Sequence, residues 1–141
     1  MHWERFKSDD LRSLRLQTAQ AWMSGTVSES GYGEALVVGG PSYTLRDGDR
    51  ALVCAGIVHI WAGRAQAWSL VSGEAGRHFV RVVRGLARFL DAQDVVRIET
   101  AVDVDFAAGH RMVRLLGFER EGRMRSYLRA GMDCDLYARV K

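Results

Sequence analysis

The sequence is poor in features that mark several classes of protein. It has two cysteines, Cys54 and Cys134, far apart along the chain. Two thiols cannot build a disulfide framework, and neither has a metal-ligating neighbour at a useful spacing. Each lies in a segment that reads as a buried strand, so packing is their expected role. A reducing, cytoplasmic setting follows from that usage. No stretch approaches the ~20 apolar residues of a membrane-spanning helix, and Met1-His2-Trp3-Glu4-Arg5 lacks the apolar run of a signal peptide. No membrane association is expected. There is no internal repeat, no linker, no low-complexity tract, no Ser-His-Asp motif and no metal motif. Charge of one sign is not concentrated either. The net charge is +3, and acidic and basic residues are interspersed, which argues against a dedicated nucleic-acid surface.

What remains is an ordinary soluble composition. The chain has 141 residues, 48% apolar and 26% charged, enough for one domain spanning residues 1–141 with a real core.

Read in order, Trp3–Lys7 is a short first strand. Ser8-Asp9-Asp10 offers N-cap chemistry for a helix whose apolar face is Leu11, Leu14, Ala21 and Trp22, ending near Met23. Ser24–Gly33 is rich in Ser and Gly and reads as a loop. Ala35–Val38 is a short apolar segment broken by Gly39-Gly40-Pro41. Tyr43–Arg46 and Ala51–Trp61 flank Asp47-Gly48-Asp49, a hairpin signal. Ala51–Trp61 is nearly all apolar, as expected of a strand buried on both faces. That setting makes His59 a hydrogen-bonded core residue. Ala65–Val71 is a further strand containing Trp68.

Arg77–Ala92 carries the clearest helical period. Phe79, Val82, Val83, Leu86, Phe89 and Leu90 form one face, and Arg77, Arg81, Arg84 and Arg88 the other. Val95–Val102 follows as a β-branched strand, and Asp103–Asp105 as a turn. Ala107–Leu116 is a helix with a stripe of Met112, Val113, Leu115 and Leu116. Gly117 stands where a C-cap needs positive φ. Glu119–Leu128 and Met132–Lys141 are two final strands. In the last, Cys134, Leu136, Ala138 and Val140 alternate with Asp133, Asp135, Tyr137 and Arg139, the period of a half-buried strand.

The run LLGFEREGRMRSYLRAGMDCDLY resembles the C-terminal end of the GCN5-related N-acetyltransferases, the GNAT superfamily. The likeness is to the branch that acetylates protein N-termini, polyamines and related amines. Leu116, Gly117 and Phe118 match the Leu-Gly-Phe that closes the last helix. Glu121 and Gly122 match the Glu-Gly of the next strand, and Gly131 precedes Asp135 by four positions as in that branch. The resemblance implies a mixed α/β (α+β) fold, with a mostly antiparallel sheet of about 6–7 strands and about 3–4 helices. In that fold the sheet splays open between its fourth and fifth strands, and acetyl-CoA wedges into the split. Here those strands are Ala65–Val71 and Val95–Val102. Were the wedge plugged, Trp68 or His78 would be the plug.

The resemblance further implies transfer of acetyl from acetyl-CoA directly to a primary amine, on a small molecule or a protein, and it allows a homodimer. A pyrophosphate needs converging backbone N–H groups and small residues at a helix N-terminus. Ser72–His78 occupies that place. The cofactor-binding candidates are Leu70, Val71, Gly73, Ala75, Gly76, Arg77 and His78, with Glu74 a negative charge set among them. Two positions depart from the family. Val113 stands where many members have a tyrosine acid, and Phe106 where many have an asparagine. The remaining catalytic candidates are Glu99 as base, directly or through water, His110 as an imidazole opening the last helix, and Tyr127, with Tyr137 beside it on the last hairpin, as proton donor.

A second likeness is to small phage-encoded GNAT-like proteins, some of them virion components. Trp68, the polar turn Ser72–Gly76 and His110 carry it. It implies that the fold persists there as a binding or structural protein without transfer chemistry.

Overall fold

The run Ala51–Ile57 has no polar face to leave to water, and the sheet is built around it. In a computed structural model describing residues 1–128 and 131–141, seven strands form a single sheet. They are β1 (His2–Arg5), β2 (Ser42–Asp47), β3 (Arg50–Trp61), β4 (Arg64–Val71), β5 (Arg97–Asp103), β6 (Glu119–Met124) and β7 (Cys134–Val140), in the spatial order β1-β2-β3-β4-β5-β7-β6. The helices are α1 (Ser24–Val27), α2 (Tyr32–Gly39), α3 (Phe79–Asp91) and α4 (Ala107–Leu115). Short 3₁₀ turns cover Ser8–Arg12, Thr18–Met23 and Gly73–His78. Among the described residues no helix is long and apolar enough to cross a membrane.

Each face of the sheet has its own core. Val82, Leu86 and Leu90 recur every four residues on α3, and with Val113 and Leu116 they cover Leu45, Val53, Ile57, Ile98 and Tyr137. On the other face Leu11 and Leu36 pack on Phe6, Cys54 and Leu70. Gly117 (φ 88°) ends α4 as its position demands. Phe118 N–H then bonds Val113 C=O at 3.0 Å, closing the last turn.

Every pairing is antiparallel except β4 with β5, which α3 connects as a crossover. That parallel contact is short. It covers Arg64↔Arg97, Ala65↔Ile98 and Gln66↔Glu99, and then the strands part. Thr100 Oγ1 donates to Ala67 C=O at 3.2 Å, fastening the fork where it opens. The sheet therefore splits between the two strands that the resemblance implies.

Several local expectations are corrected. The helix expected over Leu11–Met23 is two 3₁₀ turns separated by an extended stretch. Leu16 is drawn into an antiparallel bridge with Ser72, which no helix allows. Asp10 does act at the start, accepting from Lys7 N–H at 2.9 Å, but it is buried and also accepts from Thr44 Oγ1 at 2.8 Å. The expected loop Ser24–Gly33 holds α1 and the start of α2, with Gly31 (φ 86°) making the turn between them; Ala35–Val38 lies inside α2. The helix expected from Arg77 begins with the 3₁₀ turn and becomes α-helical at Phe79. β3 is buried through Ile57 only. From His59 it is still paired with β4 but has run past the end of β2, so His59 is exposed rather than a core residue. β7 is not half-buried. It lies between β5 and β6, and Tyr137, expected on the polar side, is completely buried.

Candidate functional site

A strand that loses its neighbour leaves backbone donors and acceptors that need partners. Beyond Gln66, β4 turns the backbone groups of Ala67, Ser69 and Val71 toward the split. There a cleft of about 470 Å³ opens. Val71, Gly73, Ala75 and Gly76 form one wall, Phe79 and Val82 of α3 the floor, and Phe106, Gly109, Arg111 and Met112 the opposite wall. Gly109 is required by space. A Cβ there would lie 2.5 Å from Phe106 Cδ2, so the glycine lets the phenyl ring tuck under α4.

The loop after β4 is ordered by its own polar groups. Buried Ser72 caps the 3₁₀ turn, its Oγ accepting from Glu74 N–H at 3.1 Å. Ala75 is buried, whereas a Cβ at Gly76 would meet nothing within 4 Å, so the main chain is open to approach there. Glu74 does not stand as a bare charge in the loop; its carboxylate pairs with Arg50 of β3.

The structure brings Val71, Gly73, Ala75 and Gly76 together on the cleft. Leu70 points to the opposite face, buried in the Phe6 and Cys54 cluster. Arg77 and His78 line a separate groove of about 1070 Å³ along α3, with Arg81, Arg84 and Arg88. Neither suspected plug fills the wedge. Trp68 packs edge-on against Phe6 at 5.3 Å on the other face, and His78 lies on the α3 groove. The groups that do meet β4 are Gln17 and Gln20 from the N-terminal segment.

Glu99 sits at the closed end of the split, buried. One oxygen accepts from Arg64 at 2.5 Å and the other from Arg97 at 2.8 Å, and Arg97 goes on to grip Glu121 at 2.6 and 3.0 Å. The Arg64 bond above all, then Arg97, holds the Glu99 carboxyl below the usual carboxylate range against the opposing effect of burial. Tyr127 is exposed on the turn after β6.

His110 is elsewhere, on α4. Nε2 lies 2.9 Å from Asp103 C=O and 3.2 Å from Val104 C=O, so Nε2 carries the proton. In neutral imidazole Nδ1 is then an acceptor, and it takes the Tyr137 O–H at 2.7 Å. Val113 is buried in the core, and Phe106 precedes α4 and lines the cleft. Among the described residues no group of three or more His, Cys, Asp or Glu side chains is placed to hold a metal ion.

The sequence reading missed Gln17, Gln20 and Arg111. Arg111 sits over the Phe79 ring at 5.8 Å, so a cation from α4 meets the start of α3 across the mouth. Nothing in the spacing of the glutamines signals their role, because it depends on a contact with a strand some fifty residues on.

No known protein-family pattern matches this sequence, and no curated protein does. Solved structures do. A chimera of the Vibrio cholerae spermidine N-acetyltransferase superposes with a TM-score of 0.73 at 15% identity, covering 99% of this chain and 94% of that one. The ribosomal-protein-S5-alanine acetyltransferase of Vibrio fischeri gives 0.69 at 15% identity over 98% and 91%. A GNAT-family acetyltransferase of Bacillus anthracis gives 0.68 at 12% over 98% and 93%. With the sheet order, the parallel β4–β5 contact and the split beyond it, these likenesses show that the chain has the GNAT fold in a divergent sequence.

Proposed function

We propose that this chain is an acetyl-CoA-dependent N-acetyltransferase that acts on a primary amine by direct transfer. The observation that carries the reading is the cleft beyond the β4–β5 fork, bordered by the open edge of β4, the Ser72–Gly76 loop and the start of α4. Its fit to the cofactor is supported by what already lies there. The edge of β4 is bonded to a carboxamide, that of Gln20, so it has the donor and acceptor an amide-bearing chain requires.

Bound acetyl-CoA would supply an activated acyl thioester. Ser69 and Val71 would hold its amides through the main chain. Gly73, Ala75 and Gly76 would let the backbone approach its phosphates, with Arg77 and Arg111 supplying positive charge and His78 a ring N–H nearby. Leu70 keeps β4 in place from the opposite face. Glu99, ionised at neutral pH, would take the acceptor's proton through water once one of its oxygens is freed from Arg64 or Arg97. Tyr127 Oη would return a proton to the departing sulfur. His110, locked between Tyr137 and two carbonyls, would fix the start of α4. The acceptor would be a small molecule or a protein amine, and the free, buried thiols of Cys54 and Cys134 suit a cytoplasmic setting.

The test is thiol release from acetyl-CoA with a panel of primary amines, including spermidine and a peptide with a free N-terminus. Amine-dependent release above the amine-free rate is expected. No release at millimolar acetyl-CoA with any amine contradicts the reading. It would favour the second one, a GNAT-fold binding or structural protein of phage type, for which Val113 and Phe106 at the family's acid and asparagine positions speak.

A further inference from the structure

We propose that residues 15–20 are a displaceable strap, holding the open edge of β4 with the side-chain amide of Gln20 so that cofactor must displace it to bind. This rests on the acetyl-CoA reading above. β4 has no strand beside it on the β5 side after Gln66, yet its backbone groups there are satisfied. Gly73 N–H donates to Arg15 C=O at 3.2 Å, and Gln17 N–H donates to Val71 C=O at 2.9 Å. Val71 N–H donates to Gln20 Oε1 at 2.8 Å, while Gln20 Nε2 donates to Ser69 C=O at 2.8 Å. Leu16 lies opposite Ser72 in an isolated antiparallel bridge. The segment thus acts as a short additional strand, finished by a side chain.

A carboxamide is the functional group that recurs along the pantetheine arm of coenzyme A. Gln20 makes to Val71 and Ser69 the donor and acceptor bonds that an amide of that arm would make. Both cannot occupy the same N–H and C=O. Gly73 N–H, the first donor of the candidate phosphate loop, is taken by the same strap. The segment is lightly anchored. No residue of the turn Thr18–Met23 is buried, and Leu14, Leu16 and Met23 are only partly so. Release of residues 15–20 uncovers no fully buried side chain, Leu16 being the one large apolar side chain among them, which places the strap among the elements of a fold that open more readily than its core.

Calorimetric titration of acetyl-CoA into wild type, Gln20→Ala and Gln17→Pro tests this. Gln20→Ala removes both side-chain bonds to β4. Gln17 has φ −60°, the value proline fixes, so Gln17→Pro deletes the N–H donated to Val71 while keeping the chain path. Each variant is expected to bind about tenfold tighter than wild type, one decade being about 1.4 kcal/mol. Should either variant lose its folded transition, wild-type hydrogen exchange carries the test. Saturating acetyl-CoA should speed exchange of the Gln17 amide about tenfold as it leaves Val71. Equal affinities in all three proteins, or an unchanged Gln17 amide on binding, overturn the strap and leave the cofactor reading standing. No binding to any of them at millimolar acetyl-CoA overturns the cofactor reading, and the strap with it.

Discussion

Glu99 sits between two guanidiniums, and that arrangement decides how it can act. With both oxygens engaged by Arg64 and Arg97, it is a fixed negative charge before it is a base. Its folded pKa lies below the ordinary value of 4.5. The pairing therefore adds stability above that value, and the addition is lost as pH falls through the depressed one. Stability measured by urea unfolding should hold from neutrality down to the ordinary carboxyl range and fall below it. Glu99→Gln should lower stability at neutral pH by about 1 kcal/mol, because partly exposed Arg64 loses its carboxylate while Arg97 keeps Glu121, and should flatten the acid slope. An unchanged acid slope in the variant would remove Glu99 from this account.

The thiols give a second residue-scale expectation. Burial pushes Cys54 up to about 12 and Cys134 up to about 11, and both side chains are fully enclosed. A thiol-specific reagent near neutral pH should modify neither in the native protein and both after unfolding. Rapid modification of either in the folded state would contradict the packing described. That the cysteines are core residues was legible, for Cys54 from its apolar run and for Cys134 from its place in the alternating last strand. That Glu99 is an ion-pair member was not, since Arg64, Arg97 and Glu121 meet only once β4, β5, β7 and β6 are laid side by side.

At the scale of elements, His110 ties α4 to the sheet. His110 Nδ1 takes the Tyr137 O–H while Nε2 serves two carbonyls. Tyr137→Phe removes the donor and leaves Nδ1 without it, which should cost about 1–2 kcal/mol by chemical denaturation. No measurable change would mean that water serves His110 equally well. Gly109→Ala forces the Phe106 ring aside and should cost about 1–3 kcal/mol by the same measurement. Elements with strong periods, such as α3 and β3, were readable because their stripe or run follows directly from what they bury. The N-terminal third was not. Its apolar residues suggested one helix, but the edge of β4 draws Arg15–Gln17 into extended pairing, and a tertiary hydrogen bond outweighs local propensity. The end of β3 misled for a related reason. Its apolar run continues past the point where the neighbouring elements stop covering it.

For the whole molecule, the Gly-Phe turn after α4 and the order of strands and helices carried the fold, and they fixed the strands between which the sheet divides. What fills the division was not in the pattern, because Gln17 and Gln20 look like any polar residues of a connecting segment. The central claim is that this division is a working acyl-CoA site. The most direct test is the thermal unfolding midpoint of the wild-type protein with and without acetyl-CoA. Ligand at about 100 times its dissociation constant stabilises a native state by about 2.7 kcal/mol. For a chain of this length that raises the midpoint by roughly 4 °C or more. A shift of that size is the predicted result. A midpoint that stays put at millimolar acetyl-CoA would contradict the account and leave a GNAT fold that serves another purpose.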